Sequence, residues 1–224
     1  MTDSASTVPR DPETPPGFRS GVVAVVGRPN VGKSTLINRI LGQKVAAVSP
    51  KPQTTRRRQL GIYTSSIAQI LFVDTPGLHA PQHKLGEYMV KAAESAFHDV
   101  DVILIVLDMS EPPEAADRQL AETVMRLRGE TPVVLALNKI DVMPEAHVRA
   151  ARLAEHGELI PHAAAWAVSA TEGTDVEELV ADLISRLPEG PLYFPEDQLS
   201  EVNMRVIAAE IIREKVMIHT EQEV

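Results

Sequence analysis

The chain has 224 residues, enough for one full domain plus a fragment and enough to bury a core. Apolar residues make up 44%, yet the longest apolar run, Val102 to Leu107, is too short to cross a bilayer. A formal net charge of −9 argues against indiscriminate coating of nucleic acid, and zero cysteines exclude a disulfide framework and a thiolate metal site, which places the protein in the cytoplasm.

Residues 1–19 are rich in Pro, Ser and Thr and carry Asp3, Asp11 and Glu13, so they lack the pattern of a signal peptide and read as a disordered tail. The run from Gly21 to Val26 is β-branched and continuously apolar, the mark of a strand buried on both faces. A Gly- and Pro-containing loop follows at once, then a helix from about Lys33 to Leu41 that stops near Gly42. Gln59 to Thr64 and Gln69 to Val73 are short strands close enough to pair as an antiparallel hairpin. Three further apolar strands run from Val102 to Leu107, Val133 to Leu137 and Ala164 to Ser169, with helical stretches between them. Helical periodicity appears in Leu85, Met89, Ala92, Ala93, Ala96 and Phe97, then in Leu120, Val124 and Leu127, then in Val176, Leu179, Val180, Leu183 and Leu187. This alternation predicts an α/β three-layer sandwich: a mostly parallel six-stranded sheet with one antiparallel strand and helices on both faces. The domain so defined spans residues 20–190. Pro188-Glu-Gly-Pro191 marks a linker, and Ser200 to Ile218 returns to helical spacing as a C-terminal helical fragment.

Binding sites in such folds lie at the carboxyl ends of the strands, and the motifs fall there. Gly27, Arg28, Pro29, Asn30, Val31, Gly32, Lys33 and Ser34 fit the Walker A pattern between a buried strand and a helix, with Thr35 next in line. Gly27 and Gly32 let the backbone wrap an anion so that N–H groups face it at the positive end of a helix. Lys33 adds a full charge at the β- and γ-phosphates, and the Ser34 hydroxyl suits Mg²⁺. Asp74, Thr75, Pro76 and Gly77 follow another apolar strand: Asp74 can hold a water on Mg²⁺, and the Gly77 N–H can bond the γ-phosphate.

The base is read by Asn138, Lys139, Ile140 and Asp141. The Asp141 carboxylate has only acceptors, matching the N1–H and 2-amino donors of guanine, whereas adenine leaves it unpaired. Two charge-assisted bonds at about 1.5 to 3 kcal/mol each give a preference on the order of a thousandfold or more. Ser169 can buttress Asp141 through its hydroxyl, and the Ala170 N–H can meet guanine O6.

On these residues, and on Gln53-Thr-Thr-Arg56, Phe72 to His79, Phe194-Pro-Glu-Asp197 and Glu210 to Lys215, the chain resembles the translation-factor-related P-loop GTPases, and within them the Era family of bacterial ribosome-assembly GTPases. The likeness runs from about Gly21 to the C-terminus. It implies slow GTP hydrolysis to GDP, about 10⁻⁴ to 10⁻² s⁻¹ without a partner, because Leu78 stands where many switch GTPases have a water-orienting glutamine. It implies that Thr54-Thr55 belongs to the first switch, with Thr55 favoured over Thr54 as the ligand to Mg²⁺ beside Ser34 and Asp74. It also implies a K⁺ ion held in part by Asn30, a monomer, a role in small-subunit (16S rRNA) assembly, and peripheral membrane association. Residues 191–224 then read as a linker and the first helix of an incomplete KH-type RNA-binding domain, without a Gly-x-x-Gly loop, so direct RNA binding by this chain is not expected. Two alternatives stand beside this reading. One is a nucleotide-binding module that does not reach RNA. The other is a tRNA-modification-type GTPase domain, which calls for a surrounding helical domain and a C-terminal cysteine signature.

Overall fold

A computed structural model describes residues 14–42, 59–74, 100–143 and 145–195. Among these, six strands form one sheet: β1 (Arg19–Val26), β2 (Gln59–Thr64), β3 (Ala68–Asp74), β4 (Val102–Asp108), β5 (Val133–Asn138) and β6 (Ala164–Ala167). The helices are α1 (Lys33–Ile40), α2 (Ala115–Leu127), α3 (Ala146–Gly157) and α4 (Val176–Arg186), with a 3₁₀ turn over Ile140–Val142. The sheet order is β2-β3-β1-β4-β5-β6, parallel throughout except for the β2–β3 hairpin, as the alternation predicts.

The apolar strands alternate between two cores. Val23, Val25, Leu104 and Val106 face α1 and α4 through Leu36, Ile37, Leu179 and Leu183, while Ala24, Val26, Ile103, Ile105 and Leu107 face Leu120 and Val124 of α2. Both faces of β4 and β5 are buried, which is why these strands carry unbroken apolar runs rather than an alternating pattern. The centre of the sheet is therefore stiff, and the loops at its carboxyl edge are mounted on it.

Several expectations shift. The tail expected through residue 19 ends earlier: Phe18 is buried, its carbonyl accepts the Gly190 N–H at 3.0 Å, and Arg19 already belongs to β1. The segment expected as a linker from residue 191 is bound to the sheet. Its anchor is the buried Gln69, whose carboxamide accepts the Tyr193 and Phe194 N–H groups at 2.9 and 3.0 Å and donates to the Phe194 carbonyl and the Thr64 hydroxyl at 2.9 Å each. All four hydrogen-bonding capacities of that amide are used, as burial of a polar side chain demands. Strand β6 ends at Ala167, so Ser169 lies in the turn beyond it rather than in the strand. The helix expected around Leu85 to Phe97, the helix from Ser200 to Ile218, and the residues Thr54, Thr55, Thr75, Pro76, Gly77 and Leu78 lie outside the described residues.

Candidate functional site

The loop between β1 and α1 is shaped by three positive dihedrals and two steric constraints. Gly27 has φ 159°, Asn30 64° and Gly32 100°. A Cβ at Gly27 would lie 2.4 Å from the Val106 carbonyl oxygen, and one at Gly32 would lie 2.2 Å from Asn138 Nδ2. Glycine at 32 is thus required twice, by its left-handed backbone and by the side chain pressed against it. Gly32 caps α1 without a side-chain acceptor, and no acidic residue stands in the first turn, so the positive end of the helix is left for an anion. Lys33 folds back over the loop, its Nζ donating to the Gly27 and Arg28 carbonyls at 2.8 Å each. Ser34 and Thr35 sit half-buried in that same first turn.

The Arg28 guanidinium is committed to α2. It pairs with Asp117 at 2.7 Å and Glu114 at 2.6 Å, while the other Asp117 oxygen accepts the Glu114 N–H at 2.9 Å as half of a capping box. Burial works against the charge on Arg28, but the two carboxylates outweigh it and hold its pKa above the ordinary guanidinium value.

Asn138, at the end of β5, joins the phosphate-loop candidate to the base-loop candidate. Its Nδ2 donates to the Val31 carbonyl at 2.8 Å and its Oδ1 accepts the Ala170 N–H at 2.9 Å, all buried. Removing that carboxamide would strand two buried backbone groups at about 1 to 3 kcal/mol each. Ala170's N–H, expected to face guanine O6, is thus already engaged, and an O6 contact would share it. The Ser169 hydroxyl oxygen accepts the Glu172 N–H at 2.9 Å, and among the described residues it makes no bond to Asp141, so its expected buttressing role is not a contact of this structure. Asp141 lies exposed on the 3₁₀ turn after Lys139, whose own φ is 72°; no partner occupies the Asp141 carboxylate among the described residues. Ile140 ties this turn to the residue just after β6 through its N–H on the Val168 carbonyl at 3.3 Å. Asp74 ends β3 in register with Val25 of β1, two residues before the loop begins.

Three residues were missed from sequence. Asp108 ends β4, binds the Lys139 ammonium, and accepts from the Ser110 N–H and hydroxyl at 3.1 and 2.5 Å. An acid at the carboxyl end of an apolar strand is the same signal that picked out Asp74. Arg39, in the last turn of α1, donates to the carbonyls of Ala170 (3.1 Å) and Thr171 and so holds the 169–173 turn from the phosphate-loop helix. Asp117 is the third, legible only as the second half of a Glu-x-x-Asp box.

A family model described as 50S ribosome-binding GTPase matches residues 22–139. GTPase Era of Leuconostoc citreum is 45% identical over 207 residues, covering 92% of this chain and 68% of the relative. Among solved structures, Aquifex aeolicus Era Y63A bound to GDP·AlF4⁻ is 39% identical with a TM-score of 0.82, covering 92% of this chain and 70% of that one. Era in complex with MgGDPNP and nucleotides 1506–1542 of 16S ribosomal RNA gives the same TM-score of 0.82, identity of 39% and coverage of 92% and 70%.

Burial raises the Asp108 carboxyl, but the hydrogen bonds from Lys139 and Ser110 lower it further, so its pKa lies below the ordinary carboxylate value. A carboxylate depressed on folding stabilises above its unfolded pKa, near 4, and that stabilisation is lost as pH falls through the folded value. Asp108→Asn should therefore lower Tm at pH 7, with the gap to wild type closing below about pH 4. Thermal unfolding across this range checks it; a gap that stays constant with pH would contradict the assignment.

Proposed function

The chain belongs to the Era family of GTPases, which hydrolyse GTP to GDP and phosphate, and we propose that it acts as a Mg²⁺-dependent guanine-nucleotide switch in assembly of the small ribosomal subunit. The observation that carries the reading is the continuous buried link from Val31 through Asn138 to Ala170, which fixes a phosphate cradle and a base pocket relative to each other. Asp141, exposed and unpartnered among the described residues, lies beside that pocket with two acceptors for the guanine edge.

Gly27 to Ser34 enclose the β- and γ-phosphates in this reading, with Lys33 and the first amides of α1 supplying positive charge where negative charge accumulates as the phosphoryl group transfers. The fit to Mg²⁺ rests on the donor set: a hydroxyl in the first turn of α1 at Ser34, a carboxylate at the end of β3 at Asp74, and a switch threonine, Thr55 or Thr54. Bound there, Mg²⁺ would neutralise negative charge on the phosphates. Arg28 to Val31 and Thr35 line the loop, Lys139 and Ile140 flank the base, Ser169 shapes the base loop, and Thr75, Pro76, Gly77 and Leu78 would follow Asp74 into the second switch.

Small-subunit rRNA is the proposed partner because the structurally similar Era binds a 16S rRNA fragment. Residues 191–195 are pinned to β3 by Gln69, and β3 carries Asp74 at its other end. The start of the segment read as RNA-binding is thus hydrogen-bonded to the strand that ends in Asp74, which supports a coupling between the two in this reading. The protein is read as a cytoplasmic monomer with peripheral membrane association; among the described residues no helix is long and apolar enough to cross a membrane. Single-turnover GTP hydrolysis with and without small ribosomal subunits tests the partner. A rise of at least about tenfold with subunits is expected, in line with the large stimulation that partners give slow GTPases, and an unchanged rate would contradict it.

Asn30, exposed on the loop with φ 64°, offers an oxygen donor of the kind K⁺ accepts, and the missing glutamine at Leu78 leaves a need for added positive charge. Intrinsic turnover should be faster in KCl than in NaCl, and Asn30→Ala should abolish the difference. Equal rates in the two salts would remove K⁺ from the account.

A further inference from the structure

Arg28 belongs to the phosphate loop by sequence, yet its side chain serves another element. Asp117 is 2% exposed, and both its oxygens are used: one by Arg28 Nε, the other by the Glu114 N–H at the start of α2. The far end of the guanidinium is closed by Glu114, leaving the Arg28 side chain 14% exposed. The charge is tolerated because two of its nitrogens, Nε and Nη1, meet carboxylates, and the pairing fixes geometry because the guanidinium is a rigid planar fork.

That geometry bears on Lys33. The two carbonyls that hold Lys33 Nζ belong to Gly27 and Arg28. Gly27 is pressed against the Val106 carbonyl, which sets one end of this dipeptide, and the Arg28 side chain bolted to α2 sets the other. Moving Arg28 would move its own carbonyl, one of the two acceptors, and with it the ammonium.

We propose that Arg28 and Asp117 are positioning residues for the phosphate loop, an ion pair of a half-buried guanidinium on a buried carboxylate that holds the loop and Lys33 in the phosphate-binding shape before nucleotide arrives. Neither side chain touches the nucleotide in this role; α2 acts on the phosphates through them. The proposal rests on the reading of Gly27 to Ser34 as the phosphate cradle.

The test compares GDP with GMP, which lacks the β-phosphate, by competition against a fluorescent GDP analogue on the full chain with Mg²⁺. Arg28→Gln should weaken GDP about tenfold to a hundredfold while moving GMP by less than about threefold, since only the enclosed phosphate feels a misplaced loop. Arg28→Gln also strands the buried Asp117 carboxylate, so the double variant Arg28→Gln/Asp117→Asn, which removes both charges, serves as the second arm. It is expected to fold and to keep the GDP-specific loss. Equal weakening of GDP and GMP, or a double variant that binds GDP as the wild type does, would overturn the proposal and leave the pair as a helix cap alone. A wild-type protein that binds GMP as tightly as GDP would instead sink the phosphate-cradle reading, a failure that the variants need not be made to detect.

Discussion

The carboxamide of Asn138 is the constraint on which the site depends. One end of it holds the Val31 carbonyl, the other the Ala170 N–H, and its nitrogen fills the space a side chain at Gly32 would need. An amide can do this because it donates and accepts at once, and because β5, buried along its whole length, presents it at a fixed height above the sheet. The loop after β1 and the turn after β6 are far apart in sequence and would otherwise move independently. Through this one side chain they become a single surface.

Charge is distributed around that hub with a clear division. Positive groups are turned toward the loop after β1: the uncapped end of α1 and Lys33 folded over two carbonyls. Other charges are neutralised in pairs, Arg28 by Asp117 and Glu114 on one side, Lys139 by Asp108 on the other. Asp141 stands exposed with no partner among the described residues. A polyphosphate fits the first region and a donor-bearing purine edge the second. Arg39 adds a brace from α1 to the base loop, so one helix is anchored to both halves.

The fold and the outline of the site were legible in the sequence because both rest on local pattern. Unbroken apolar runs marked β1, β4 and β5, whose two faces are both buried, and the Gly and Lys spacing marked the phosphate loop. The pairs that stiffen the site were not legible, since each joins distant residues: Arg28 meets Asp117 across 89 positions and Asn138 meets Val31 across 107. Helix α3 was expected only as a helical stretch between β5 and β6, with no residues assigned to it, for a related reason. It is rich in alanine and buries only His156, so it offers no apolar period to read. The tail boundary was misjudged at Phe18, a single aromatic whose burial depends on Gly190 lying beside it. The hydroxyl of Ser169 was assigned to Asp141 by proximity in motif order, whereas the tight turn to Gly173 draws it to Glu172.

In the proposed switch the chain reads guanine on a preformed polyphosphate cradle. Isothermal titration of the protein with GTP and with ATP, each with Mg²⁺, addresses that claim most directly. GTP should bind with a well-defined heat and ATP at least about a thousandfold more weakly, as two charge-assisted bonds to Asp141 require. ATP bound as tightly as GTP, or no heat from either, would contradict it.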